Sequence, residues 1–325
     1  MSKIVCSGIV ILLLLSGCKS RYSSVATAET FLFNSPVIMS LDIHNEDVVQ
    51  TAIGLAMSEI RRLEQTFNPI NPEGSLYQLN ANRSLRDPEL YQILERAYTL
   101  TELTNGGLNL FLGYLERAYG FGKLIPEPPD ANSLREILLT LGRTRIEFDP
   151  SRYQITMPND AYEISLTGLR DGYVADQTLA HLSMAGVHNA MVQVGSHFAC
   201  GSSVSGLGWQ VNIVNPVGED TDVNLFVEFC GVATASVTDQ SYVYRDEVYY
   251  NHLDPETGRP ARNLSSVTVV APTSELASGL ARGIFILPPD EGLRLLNDLP
   301  SVDGLLINHN GEISLSDSMF IWMGD

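Results

Sequence analysis

Leu166-Thr167-Gly168-Leu169-Arg170-Asp171-Gly172-Tyr173-Val174-Ala175-Asp176 is the stretch whose reading decides the fold. It runs into Gly172–Ala185, an amphipathic segment with helical spacing that Gly186 closes. Short apolar runs lie on both sides of it. Upstream, Ile146–Phe148, Tyr153–Met157 and Tyr162–Ser165 read as strands. Downstream, Ala190–Val194, Trp209–Val214, Leu225–Cys230, Val232–Ser236 and Val267–Ala271 are rich in the β-branched residues that suit a half-buried pleated surface.

Further out, the pattern becomes helical. Asn45-Glu46-Asp47 supplies capping residues for Val48–Phe67, in which Ile53, Ala56, Ile60, Leu63 and Phe67 recur at helical spacing. Phe31–Ile43 before it predicts an opening strand, and Asn68–Ser75 after it is turn chemistry throughout. Asp87-Pro88 caps a helix to about Leu103 that stops at Asn105-Gly106-Gly107, and Leu110–Ala118 predicts a short helix. Pro126–Ala131 is a Pro-rich loop before the helix Ser133–Leu141. Toward the C-terminus, Ser274–Leu287 and Asp290–Leu296 read as helices. Leu305-Leu306-Ile307, the turn His309-Asn310-Gly311 and Ile313 predict a hairpin. Helices mixed with clustered strands argue for an α+β fold, with a helical region near 85–142 and a sheet core after it.

Composition bounds the function. The 325 residues are 44% hydrophobic and 18% charged, which suits a globular chain with a large core. A net charge of −18, with no concentrated basic patch, argues against nucleic acid as a partner. Residues 1–17 form a short secretory signal: one Lys, an apolar run Ile9–Leu15, then Leu15-Ser16-Gly17-Cys18. Leu-Ser-Gly-Cys resembles the lipobox of bacterial lipoproteins, which implies a lipid on Cys18, anchorage to a bacterial membrane on its periplasmic side, and a polar tether over 18–30. Losing Lys3 with the leader leaves 19 basic against 38 acidic residues. Cys200 and Cys230 then remain as a pair, either bridged or present as two buried thiols.

Generic chemical motifs are absent: no Walker A loop, no G-x-G-x-x-G after a strand, and no C-x-x-C, H-E-x-x-H or G-x-S-x-G. Four ordered segments nevertheless carry a family resemblance. Residues 166–176 resemble the L-G-(A/G)-I-A-K-G-Y-x-x-D segment of the ApbE family, the FAD:protein FMN transferases. Ala190-Met191-Val192-Gln193-Val194-Gly195 is similar to its A-L-V-N-L-G-G-D strand. Asn251-His252-Leu253-Asp254-Pro255-Glu256-Thr257-Gly258-Arg259-Pro260 resembles H-x-x-D-P-x-T-G-x-P. Ser266-Val267-Thr268-Val269-Val270-Ala271-Pro272-Thr273 resembles S-V-T-V-x-A-x-T. Leu103–Asn109 is similar to L-T-G-G-A-F-D, and the likeness extends over roughly residues 30–315. It implies one ApbE-like domain over 31–325, with a mixed sheet core and a helical lobe. It also implies FAD as substrate, Mg²⁺ on its pyrophosphate, and transfer of the FMN half to a Thr or Ser of an exported redox protein, releasing AMP.

The resemblance assigns cofactor contacts to Gly107, Leu108, Asn109, Asp171, His252 and Arg282. It assigns metal contacts to the Gly168 backbone carbonyl and to Ser278. Departures fall at these same positions. Ser278 and Arg282 stand where the family has an Asp and a Thr one helical turn apart, so a cation replaces a hard oxygen ligand. Asp171 replaces a Lys, Asn109 and His197 each replace an Asp, and Phe33-Asn34-Ser35 replaces M-G-T. His252 is displaced by one position, with Asn251 standing three before Asp254. Two consequences for Arg282 stay open: a contact with the pyrophosphate, or a salt bridge to Asp171 or another acid. The retained Gly172, Tyr173, Asp176, Gly195, Asp254, Pro255, Thr257, Gly258 and Pro260 read as scaffold, with Asp254 capping its turn. The expected function is FMN transfer; the alternative is an impaired relative that binds flavin or a partner without metal-dependent turnover.

Overall fold

The computed structural model describes residues 25–324 apart from 34, 44, 122, 142–144, 159–162, 205 and 219–221. The segment read as a leader, Cys18 and the start of the segment read as a tether lie outside the described residues, as do Asn34 and Tyr162.

The chain opens with the strands β1 (Val25–Leu32) and β2 (Ser35–Asp42). The helical part follows as α1 (Glu46–Phe67), α2 (Ser75–Asn82), β3 (Ser84–Arg86), α3 (Pro88–Leu103), α4 (Gly113–Tyr119) and α5 (Ala131–Leu141). Then come β4 (Glu147–Asp149), β5 (Gln154–Thr156), α6 (Arg170–Met184), β6 (Ala190–Val194), β7 (His197–Cys200), β8 (Trp209–Ile213) and β9 (Val223–Val227). The remainder is β10 (Cys230–Ser236), β11 (Tyr242–Tyr244), β12 (Glu247–Tyr249), β13 (Ser266–Ala271), α7 (Ser274–Ile286), α8 (Pro289–Asp298), β14 (Asp303–Ile307) and β15 (Ile313–Leu315).

Eight strands form one sheet in the order β1-β2-β6-β7-β10-β13-β14-β15. The α+β reading holds. Within it, the core sheet read as mixed pairs antiparallel at each of its junctions. Long excursions leave and rejoin this sheet. Helices α1–α5 and the small sheet β3-β5-β4 separate β2 from β6, the hairpin β8–β9 separates β7 from β10, and α7–α8 separate β13 from β14.

Period-2 alternation buries both faces. Val267, Val269 and Ala271 of β13, with Ala233, Ala235 and Leu306, join the large core beneath α1, α6 and α7. Val270, Leu305, Ile307, Val232, Cys200 and Cys230 turn the other way and join Val211, Ile213, Leu225 and Val227 of the β8–β9 hairpin. Cys200 and Cys230 stand directly opposite each other in the β7–β10 register and are two free, buried thiols.

Local chemistry explains the helix starts. Asn45 caps α1 by accepting from Val48 N, and Asp87 caps α3 by accepting from Leu90 N with Pro88 in the first turn. Three expectations need correction. Phe31–Ile43 is not one strand but the turn of a hairpin, because β1 reaches back to Val25, into the segment read as tether. As an edge strand it buries only Ala28 and Leu32, which leaves little hydrophobic pattern to read. Residues 163–165 form no strand: Asn80's side-chain amide takes both backbone groups of Ile164, at 2.7 and 3.0 Å, and Ser165 N bonds Leu110 O. Strands β3, β7, β11 and β12 and helix α2 were not anticipated; all but β7 and α2 are three residues long.

Candidate active site

The site is built along α7, which lies against the sheet and is buried over almost its whole length. Its first turn is held from two sides. Thr273 caps it through Leu276 N, and the Asp176 carboxylate of α6 accepts from Ser274 N (2.9 Å) and Glu275 N (2.8 Å). Burial pushes the Asp176 carboxyl up to about 7, against the pull of those two N–H groups. Glu275, also buried, meets Arg96 of α3 at 2.9 Å.

One turn on, Ser278 Oγ donates to Ser274 O at 2.6 Å. Its single proton is therefore committed, and the 2.7 Å contact with His197 Nδ1 has the imidazole N–H as donor. Burial lowers the His197 pKa, which keeps the ring neutral. The α6–α7 crossing falls at this point: a Cβ on Gly172 would come within 2.2 Å of Ser278 Oγ and 2.4 Å of Ser274 O.

Another turn on, Arg282 is 5% exposed. Its stem passes beneath the turn before α6: Gly168 has φ +95°, and a Cβ there would lie 2.2 Å from Arg282 Cδ. Arg282 Nη2 donates to Glu116 Oε1 of α4 (2.9 Å) and to Asn251 O (2.7 Å). Glu116 is bonded further, its Oε2 accepting from the hydroxyls of Ser165 (2.7 Å) and Thr167 (3.2 Å). Burial lowers the Arg282 pKa while Glu116 and Asp239 raise it, and guanidinium stays charged in such a setting.

Asn251 and His252 follow the β11–β12 hairpin, each 4% exposed. His252 Nε2 sits 3.2 Å from Asp239 Oδ2, and its ring lies 4.5 Å from that of Phe285 on α7. Burial lowers the His252 pKa, so the neutral ring donates to Asp239 and leaves Nδ1 as an acceptor. His252 Nδ1 and Asn251 Oδ1 are both buried without a partner among the described residues. The next residues are scaffold: Asp254 accepts from Glu256 N (2.8 Å) and Thr257 Oγ1 (2.9 Å), closing its turn.

The residues singled out in the sequence converge on this helix unevenly. Gly107 packs on the α7 backbone, where a Cβ would meet Gly283 O at 2.3 Å. Leu108 is buried in the main core, and Asn109 spends its side chain capping Phe111 N at 2.8 Å. Asp171 faces its own neighbour, Arg170 Nε, at 2.9 Å, with Ser35 Oγ at 3.4 Å. The expected acid partner of Arg282 is thus Glu116, not Asp171. Glu116 and Asp239 escaped the sequence reading: Glu116 sits in a short helix reading GYLERAY, without spacing that distinguishes it from a surface acid. Tyr114 and Arg117 of α4 line an open cleft of about 1160 Å³ together with Tyr244 and Tyr249.

A divalent cation of the magnesium type asks for several hard oxygen donors. Ser278 offers a buried hydroxyl already bonded twice, and Arg282 brings a positive charge to the same helical face. The nearby carboxylates are occupied, Glu116 by Arg282 and Asp239 by His252. Among the described residues no group of three His, Cys, Asp or Glu is arranged to hold a metal. These residues do not fit Mg²⁺.

Known proteins share this architecture. The crystal structure of the ApbE protein from Thermotoga maritima superposes with TM-score 0.83 at 20% identity, covering 93% of this chain and 100% of that one. The flavin transferase ApbE from Vibrio cholerae gives TM-score 0.76 at 20% identity, over 93% and 100%. In sequence, the FAD:protein FMN transferase of Haemophilus influenzae is 28% identical over 265 residues, 76% of each chain. That of Vibrio cholerae is 26% identical over 312 residues, 89% of this chain and 90% of the relative. The model of the ApbE family matches residues 37–306, and the chain belongs to that family.

Proposed function

We propose that the protein is a flavin transferase that takes FAD as substrate and attaches its FMN half to a Thr or Ser hydroxyl of an exported redox protein. The acceptor oxygen bonds to the FMN phosphorus, the pyrophosphate P–O bond breaks, AMP leaves, and the hydroxyl proton passes to solvent. The reading is carried by one observation: Gly107, Gly168, Asn251 and His252, from three separate chain segments, converge on α7 around Arg282 and its neighbours. Two supports accompany it. The curated relatives bear the name of this activity, and the unpaired acceptors on Asn251 and His252 suit N–H or O–H groups of a ligand. The setting proposed is the periplasmic side of a bacterial membrane, with a lipid on Cys18 as anchor. No described helix is long and apolar enough to cross a membrane.

The Arg282–Glu116 pair and the committed Ser278 hydroxyl favour a second reading: a relative that binds flavin or a partner protein without metal-dependent turnover. One experiment separates the two. The mature protein is mixed with FAD, Mg²⁺ and a flavin-acceptor domain, and covalent flavin is sought as in-gel fluorescence. A fluorescent acceptor establishes the transferase. FAD binding without labelled acceptor establishes the second reading, and absence of FAD binding in calorimetry removes both.

A further inference from the structure

We propose that Arg282 is an anion-binding group for the pyrophosphate of a dinucleotide, built into the fold where a divalent cation would otherwise be recruited, so that nucleotide binding here is independent of metal. The part concerning FAD rests on the function proposed above; the exclusion of metal does not.

The donor inventory of Arg282 leads to this assignment. Guanidinium carries five N–H donors. Those on Nη2 serve Glu116 and Asn251 O, at 2.9 and 2.7 Å. Nε and Nη1 hold no bond to any described residue, although the side chain is 6% exposed. Neither atom is among the buried polar atoms left without a partner, so this edge is not sealed off by the protein. The free edge is therefore the part of Arg282 that a ligand can meet. A phosphate oxygen pair matches that edge bidentately. Glu116 pairs with Arg282 through one oxygen only, on Nη2, and gives the other oxygen to Ser165 and Thr167, which leaves the Nε–Nη1 edge free of it. Asp239 is turned to His252 and to Ser236 N.

Rigidity adds to the argument. The stem of Arg282 is pinned under Gly168, where no side chain fits, and its charged end is pinned by α4 and the Asn251 carbonyl. A cation fixed in this way needs no reorganisation when an anion arrives, the condition under which a charge-assisted bond is strongest. It also repels Mg²⁺ or Mn²⁺ from the same place.

Binding and metal content test this separately from turnover. FAD, ADP and inorganic pyrophosphate are titrated into the whole mature protein, once in EDTA and once in millimolar Mg²⁺. Mn²⁺ is titrated alone and read by electron paramagnetic resonance. The expected result is the same Kd for FAD and ADP in both buffers, within about twofold, and no bound Mn²⁺. Arg282→Met should weaken all three ligands about 10- to 100-fold, the loss of charge-assisted bonds. Because that variant strands Glu116, the double variant Glu116→Gln/Arg282→Met is measured beside it, with circular dichroism melting to establish folding. FAD binding that needs Mg²⁺, a stoichiometric Mn²⁺ site, or unchanged affinity in a folded Arg282 variant overturns the proposal, as does a wild type that takes none of the three ligands. Metal-free binding of ADP and pyrophosphate without any flavin transfer sustains it while the transferase reading fails. Transfer that occurs only with Mg²⁺ does the reverse.

Discussion

At Gly172 two helices cross so closely that a single methyl group decides whether they can. The nearest atoms to a Cβ there are Ser278 Oγ and the Ser274 carbonyl, at 2.2 and 2.4 Å, and one of them is backbone. Gly172→Ala must push α6 from α7 and break the Ser278–His197 contact, so we expect a loss of about 3 kcal/mol, the upper end for overpacking. Urea unfolding measures it; an unchanged midpoint would show that the crossing can give. Gly54 is the control within the same chain. It lies inside α1 with nothing within 4 Å of a Cβ. Gly54→Ala should therefore stabilise the fold by about 0.5–1 kcal/mol through helix propensity alone. Glu116 is the third case at this scale. Glu116→Ala leaves Arg282 charged and unpaired in the interior, which we expect to cost about 3–5 kcal/mol, whereas Glu163→Ala, beside exposed Arg117, should fall within about 1 kcal/mol.

Among the elements, α7 shows what could and could not be read from the chain. Its limits were legible to within a residue, because a β-branched strand, Pro272-Thr273 and a periodic run mark them. That Ser278 and Arg282 share one helical face was legible as well, since they stand four residues apart. The partners were not: Glu116, Asp239 and His197 arrive from α4, the loop after β10 and β7, which only the folded topology brings to α7. The missed strands were short, and β1 was weakly patterned, so their pairing is tertiary rather than local. A prediction at this scale concerns Asp176, which holds the start of α7. Burial raises its carboxyl in the fold from the ordinary carboxylate range to about 7. A raised group favours the fold most below its unfolded pKa, and that contribution is lost as pH rises through about 7. Wild type should thus lose stability relative to Asp176→Asn between pH 4 and pH 8. Parallel urea curves at several pH values check this, and a gap that stayed constant or widened in the other direction would refute it.

Across the described residues, the eight-stranded sheet stands between two cores, and its two thiols report on the smaller of them. Cys200 and Cys230 lie on the face covered by the β8–β9 hairpin and the C-terminal turn Met319–Trp322. Burial raises both thiols, Cys230 to about 12, so neither offers a thiolate to a reagent in the folded state. Alternation along β10, β13 and β14 ties this layer to the main core, since each strand feeds both faces. Opening the hairpin layer should accordingly be expensive, and thiol labelling should follow global unfolding. In a chain with Cys6→Ser and Cys18→Ser, Ellman's reagent should label neither thiol in native buffer over minutes and both in urea. Leu305→Ala, which removes a fully buried side chain from the small core, should cost about 2–5 kcal/mol and speed the native labelling by the matching factor if the layers unfold together. Fast labelling without a shift in the urea midpoint would instead make the hairpin layer an independent unit. Absence of labelling in urea would mean that the directly paired cysteines are bridged in the isolated protein.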